Sequence, residues 1–300
     1  MNFLKLKNSG VLIGIVGIVL FSAKAIMVKL AYQYEATAVH LLLFRMLFAL
    51  PFYLVIAKIN KPLYPEKIKK TDYLWIVFFG FIGYYLASYF DFLGLKYIKA
   101  GLERIILFVY PTLVILIGKI FLKESISTKQ IIAILITYLG VIITFWGELQ
   151  YNDDHVVLGG ILIFLSALTY ASYLVGSGWL IPKFGVKAFT SYAMLVSTVC
   201  VILHYLITDR TSIFEYPYQV YALGILMAIF STVIPSFLVS LAIKKLGASN
   251  FSILGSIGPI STILLAYFFL GERLTPLQIL GAIIVIIGIM VVSRTKRKIA

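Results

Sequence analysis

The sequence predicts an all-α membrane protein of ten transmembrane helices, arranged as two inverted five-helix repeats over residues 1–150 and 151–300. Three observations predict it. The chain is apolar throughout, stretches of membrane length recur along it, and one constant offset of 148 residues lays part of the sequence on itself.

Of the 300 residues 61% are hydrophobic and 13% charged, and the mean hydropathy is +1.02, far above that of a water-soluble domain. A helix of about 20 apolar residues crosses roughly 30 Å of hydrocarbon with its backbone groups satisfied internally. Such stretches are predicted at 10–31, 37–57, 73–93, 101–121, 129–147, 157–179, 189–207, 219–242, 249–270 and 277–292. The longest polar interval, Ile59 to Asp72, has room for a brief surface helix and none for a soluble catalytic domain.

Residues 95–143 recur at 243–291 without a gap: Lys96 matches Lys244, Ala100 Ala248, Pro111 Pro259, Phe121 Phe269, Leu122 Leu270, Glu124 Glu272, Gln130 Gln278 and Gly140 Gly288. Five spans per copy is an odd number, so the second copy must enter the membrane from the opposite side. Loop charge agrees with both termini being cytoplasmic at the plasma membrane. The inner segments carry Lys5, Lys7, Lys58, Lys61, Lys67, Lys69, Lys70, Lys123, Lys129, Lys183, Lys187, Lys244, Lys245, Arg294, Lys296, Arg297 and Lys298. The outer ends carry Lys29, Lys96, Lys99, Arg210 and Arg273, and the loop from Glu148 through Asp153, Asp154 and His155 has no base. The net charge of +14 is therefore mostly topology, and the scattered lysines without aromatic interleaving do not predict a nucleic-acid partner. Lys5 and Lys7 before an apolar run ending in Ala23, Lys24 and Ala25 imitate a signal peptide, but helix one matches helix six in the repeat register and is read as a span.

Ser127 with Gln130, and Thr275 with Gln278, are predicted capping boxes that open the fifth helix of each copy, with Pro276 at the first helical position. Glu124 and Glu272 precede them and are read as turn and interface chemistry, since opposite membrane faces keep them from meeting. The segments Phe-Leu-Lys-Glu-Ser-Ile-Ser at 121–127 and Phe-Leu-Gly-Glu-Arg-Leu-Thr at 269–275 resemble the repeat signature of the EamA-type drug/metabolite transporters. The duplication, the ten helices and Arg45 in helix two are similar to that family across the whole chain. The resemblance implies a carrier of small metabolites with a central cavity between the copies. It places helices one, three, four, six, eight and nine on the cavity wall.

Charges inside the spans mark the same cavity independently, because a charged side chain in hydrocarbon costs a few kcal/mol and needs protein, water or a counter-ion. Lys24, Arg45, Asp91, Glu103 and Arg104 all come from the first copy, and the matching positions in the second are Ser172, Ala193, Val239, Phe251 and Ser252. For Asp91, Glu103 and Arg104 the alternative is pairing or snorkelling near helix ends, and for Lys24 a reach to the outer interface. Arg45 is either a structural lock, with Asp91 and Glu103 as the acids in reach, or a substrate anchor. Tyr84, Ser88 and Asp91 share a face of helix three, and Ser249, Ser252 and Ser256 a face of helix nine. Ser88 and Ser236 match in the repeat, though a membrane serine commonly bonds its own backbone. Tyr170, Tyr173 and Trp179 are read as cavity wall, core or interface belt, while Pro111, Pro235 and Pro259 free carbonyls inside helices.

The substrate-binding set expected is thus Lys24, Arg45, Tyr84, Ser88, Asp91, Arg104, Tyr173, Ser236 and Ser252. Its excess of bases suits an anionic or zwitterionic metabolite, and helix one lacks the acid with which small multidrug carriers take up cations. Expected partners are that metabolite, the bilayer, a proton or counter-substrate for coupling, and a second copy in a homodimer. No cofactor or metal is expected: Cys200 stands alone, and His40, His155 and His204 show neither metal spacing nor a nucleophile with its base. A structural or signalling membrane protein, and efflux of lipophilic drugs, are the alternatives to metabolite transport.

Overall fold

Apolar runs that have no polar partner for their backbone must coil on themselves, and a computed structural model shows helices nearly end to end. The structure describes residues 2–122, 128–149, 155–208, 212–255 and 257–293. Ten helical segments run in order: α1 (Asn2–Tyr32), α2 (Ala38–Ile59), α3 (Lys70–Leu95), α4 (Ala100–Phe121), α5 (Thr128–Leu149), α6 (Val156–Phe184), α7 (Val186–Thr208), α8 (Tyr218–Leu246), α9 (Ala248–Leu270) and α10 (Pro276–Ser293). Among the described residues there is no strand, and eight of these segments are long and apolar enough to cross a membrane. The apolar cores of the other two, α5 and α10, are the shorter runs Leu135–Thr144 and Pro276–Gly288. Large apolar side chains stand outward, among them Leu12, Ile207 and Phe268 at 64%, 76% and 75% exposure, as on a surface solvated by lipid.

The halves interleave. Helix α1 packs on α8 and α9, and α2 on α7 and α8; conversely α6 packs on α3 and α4, and α7 on α2 and α3. Helices α5 and α10 pair with each other, and a Cβ on Gly140 would stand 2.7 Å from the Gly281 carbonyl oxygen, so this crossing brings backbones into contact. Two reversals need a single residue, Gly185 after α6 and Gly247 after α8, at φ of 78° and 81° where a Cβ would clash with the backbone.

The spans are irregular at places related by the same offset. Helix α3 widens to a π turn at Phe81–Leu86, and α8 does so at Ile229–Val233, where the Thr232 hydroxyl donates to Met227 O at 2.8 Å and satisfies a carbonyl the wide turn frees. Helix α4 breaks at Phe108 and Val109 and α9 at about Gly255, each just ahead of a proline, Pro111 or Pro259, whose ring removes one N–H and crowds the carbonyl four residues back.

The Thr275 and Gln278 capping box forms as expected: Gln278 N donates to Thr275 Oγ1 at 3.2 Å, and Thr275 N to Gln278 Oε1 at 2.8 Å. Glu272 is an interface residue, its two carboxylate oxygens accepting from Ala100 N and Gly101 N at 3.1 and 3.2 Å and so capping α4 from the other half. At the opposite end Lys183 Nζ lies 2.9 Å from Asp72 Oδ1, and Leu63 N and Tyr64 N donate to the carbonyls of Phe184 and Lys183. The polar interval before α3 holds one turn of 3-10 helix, Pro65–Lys67. Lys123, Glu124, Ser127, Asp153, Asp154, Arg210, Ser256 and the basic tail from Arg294 lie outside the described residues, as do the side chains of Lys5, Lys7, Lys129, Gln130 and Glu148.

Candidate functional site

The broken and widened turns meet at mid-length of the bundle and leave a cavity of about 70 Å³, room for a few water molecules. Its wall is drawn from α1, α3, α4, α6, α8 and α9, with α2 contributing Arg45. Lys24, Arg45 and Arg104 supply positive charge, Ser88, Ser166 and Thr232 hydroxyls, and Phe21, Tyr84, Phe108, Tyr110, Tyr170 and Phe251 rings. Room for these rings depends on missing side chains: a Cβ on Gly83 would collide with Tyr173, and one on Gly255 with the Tyr110 hydroxyl.

Each base is held differently. Arg45 is 2% exposed; Nη2 donates to Ser88 Oγ at 2.8 Å, the guanidinium lies 5.0 Å from the centre of the Phe92 ring, and the buried Nε has no partner. Neither of the acids considered for it from sequence makes an ion pair with it. Arg104 Nη2 donates to Ser22 Oγ at 3.1 Å, and Gly258 leaves the room the guanidinium occupies, since a Cβ there would stand 3.1 Å from Nε. Lys24, 8% exposed, does not reach for the interface: its Nζ lies 2.6 Å from Asp91 Oδ2. This contact is an ion pair between two buried side chains. Asp91 and Glu103 are 1% and 0% exposed, which replaces the expected snorkelling with full burial.

The structure therefore brings Lys24, Arg45, Tyr84, Ser88 and Arg104 to one cavity, with Asp91 directly behind Lys24. Three other expected residues stand back from the wall. Tyr173 packs edge-on against Tyr84 with ring centres 4.7 Å apart, Ser236 Oγ lies 2.9 Å from the Tyr53 hydroxyl, and Ser252 Oγ donates to Ser249 O. Sequence reasoning missed Phe21, Ser166 and Thr232, which carry no charge and so raise no signal inside an apolar run. It also missed Ser22, whose offer to Arg104 depends on α1 packing across the halves. Among the described residues no group of His, Cys, Asp and Glu is arranged to hold a metal ion.

A second cavity, of about 750 Å³, opens where α1, α3 and α9 end; Lys29, Tyr32, Glu35, Tyr89, Lys96 and Glu272 line it. The Tyr32 hydroxyl donates to Phe92 O at 2.5 Å, so this tyrosine ties the vestibule wall to the turn that carries Asp91.

A multi-pass helical membrane protein with a charged cavity at mid-depth is the architecture of a transporter. The chain belongs to the EamA-like transporter family, whose model matches twice, at residues 8–146 and 157–294. It is 32% identical over 277 residues to the uncharacterized transporter YcbK of Bacillus subtilis (strain 168), covering 91% of this chain and 89% of that one. It is 26% identical to the uncharacterized transporter YyaM of the same organism, over 80% of this chain and 79% of the relative. A solved crystal structure shares the fold, with a TM-score of 0.67 at 15% identity over 95% of this chain and 96% of its own.

Proposed function

We propose that this protein is a secondary transporter, probing one side of the plasma membrane and then the other, that exports small anionic or zwitterionic metabolites such as amino acids. In this reading all ten helical segments span the bilayer as two inverted five-helix repeats, 1–150 and 151–300, with both termini cytoplasmic. The observation that carries it is the charge of the central cavity: three bases face it, and among the described residues Asp91 is the one acid ion-paired to any of them. A guanidinium whose Nε is buried without a partner is suited to a carboxylate or phosphate, which accepts two parallel N–H bonds. The aromatic wall would pack the rest of a small solute, and the proline breaks and π turns let the halves rock around it. Coupling to a proton or to a counter-substrate supplies the energy.

Uptake and counterflow in proteoliposomes with pooled labelled amino acids, organic acids, nucleobases and sugar phosphates test this. Saturable flux of an acidic or zwitterionic pool is expected, falling at least about tenfold in Arg45→Ala, the loss of one charge-assisted bond at the site. Flux confined to lipophilic cations, or none from any pool with folded protein, would overturn the reading.

A further inference from the structure

Glu103 is completely buried on α4, and neither of its carboxyl oxygens meets a hydrogen-bond donor. An ionised carboxylate so placed loses its water and gains no bond in return. A neutral carboxyl needs only an acceptor for its own proton, and Glu103 contacts one, the carboxyl of Asp91. Asp91 is ion-paired with Lys24, whose Nζ lies 2.6 Å from Oδ2. The charged and titratable groups that face Glu103 are Asp91 from α3, Lys24 from α1 and Arg104 from its own helix. Helices α5, α6, α9 and α10 also pack on this part of the chain, and the charged group they bring to it among the described residues is Glu272, in the turn between α9 and α10, which accepts from Ala100 N and Gly101 N at the start of α4. The wall of the large vestibule reaches the cluster through Tyr32, which lines that vestibule and interacts with Asp91.

We propose that Glu103 is a proton-binding site, holding one exchangeable proton that it donates to Asp91, and that this proton and an anion in the central cavity are bound together. The proton arrives from the vestibule onto a Glu103 carboxyl oxygen and returns to solution from the same atom. An anion seated on Lys24, Arg45 and Arg104 draws Lys24 away from Asp91 and adds negative charge beside it. A second negative charge on Glu103 is then harder to sustain, so the anion favours the proton and, by linkage, the proton favours the anion. The two consequently travel in the same direction, so export with Glu103 protonated runs on the substrate's own gradient or on a counter-substrate, and an inward proton gradient opposes it. The second half offers no counterpart, since the matching positions are Val239 and Phe251. The coupling rests on the transport reading above; the proton site does not.

Infrared spectroscopy of the purified protein at neutral pH separates the two. The expected result is a protonated-carboxyl carbonyl band that shifts when the protein is made with glutamate carrying heavy carbon in its carboxyl groups, and that is lost in Glu103→Gln. The labelled wild type needs no variant to fold, and Asp91→Asn is expected to move the band by replacing its charged acceptor with a neutral amide oxygen. Spectra with carboxylate bands alone would overturn the proton site. Counterflow of the acidic pool at a series of pH values then tests the coupling. In the wild type half-saturation should weaken as pH rises above neutral and Glu103 loses its proton, by up to about tenfold per pH unit, level off where the proton is fully bound, and in Glu103→Gln cease to follow pH. A Glu103-dependent band with pH-independent counterflow would overturn the coupling. The same band with no flux from any pool would overturn the transport reading and leave the proton site standing.

Discussion

Lys24, Asp91 and Glu103 form a buried ionic cluster at one edge of the cavity, whereas the positions 148 residues later are Ser172, half-buried and bonded to Leu168 O, and Val239 and Phe251, buried and apolar on the cavity wall. The backbone around them is nevertheless the same twice over. Both third helices of the repeat carry a π turn, both fourth helices break ahead of a proline, and both fourth helices begin at an alanine. A half without buried charge folds on the same plan as a half with it. The charges are therefore not what the fold requires, and the proposed transport of an anion accounts for their expense.

The largest expected effect breaks the cluster. Asp91→Ala strands the Lys24 ammonium in the interior and should cost about 3–5 kcal/mol, enough to abolish folded protein in a thermal unfolding series in detergent. The double variant Lys24→Met with Asp91→Leu, which removes both charges, should recover most of that stability while losing transport. If the double variant is as unstable as the single one, the cluster is a structural requirement and the comparison between halves fails.

A slightly smaller effect comes from the reverse graft. Val239→Asp places a carboxyl at the matching position of the second half, where the partner position Ser172 carries no charge to pair with it, and should destabilise by about 2.5–3.5 kcal/mol. Protein yield and melting temperature read this out, and a neutral outcome would mean that the second half tolerates charge as readily as the first.

The paired serines sharpen the contrast at the small end. Ser88 receives a charge-assisted bond from Arg45, so Ser88→Ala should cost about 1.5–3 kcal/mol and lower flux by releasing the guanidinium. Ser236 shares a neutral bond with Tyr53 and stands back from the cavity, so Ser236→Ala should cost about 0.5–1.5 kcal/mol and leave the half-saturation concentration unchanged. Equal losses of flux in the two variants would erase the distinction.

The charged part of the site was legible in the sequence because a base or acid in an apolar run has no innocent explanation, and Lys24, Arg45 and Arg104 do reach one cavity. Their partners were not legible. Spacing puts Ser88 and Asp91 on one helical face, and only the packing of α2 and α1 against that face decides that Arg45 takes the serine and Lys24 the acid. The prolines show the same limit. Pro51 sits in an unbroken helix and is exposed to the surroundings, whereas Pro111 and Pro259 follow breaks and are buried. A broken backbone is tolerated where protein or a cavity can satisfy it and not where lipid would face it, and a sequence does not say which side of a helix that is.

The exchange of first and second helices between halves bears on how the protein is made. When the ribosome has delivered α1 and α2, the surfaces they will occupy on α7, α8 and α9 do not yet exist. Lys24 and Arg45 gain Asp91 and Ser88 once α3 inserts, but the rest of the surface of both helices must wait in the bilayer until later segments follow. The same wait implies that α6 can dock on α3 and α4 as soon as it emerges, so assembly starts from the middle of the chain and its first two spans are the last to find their places.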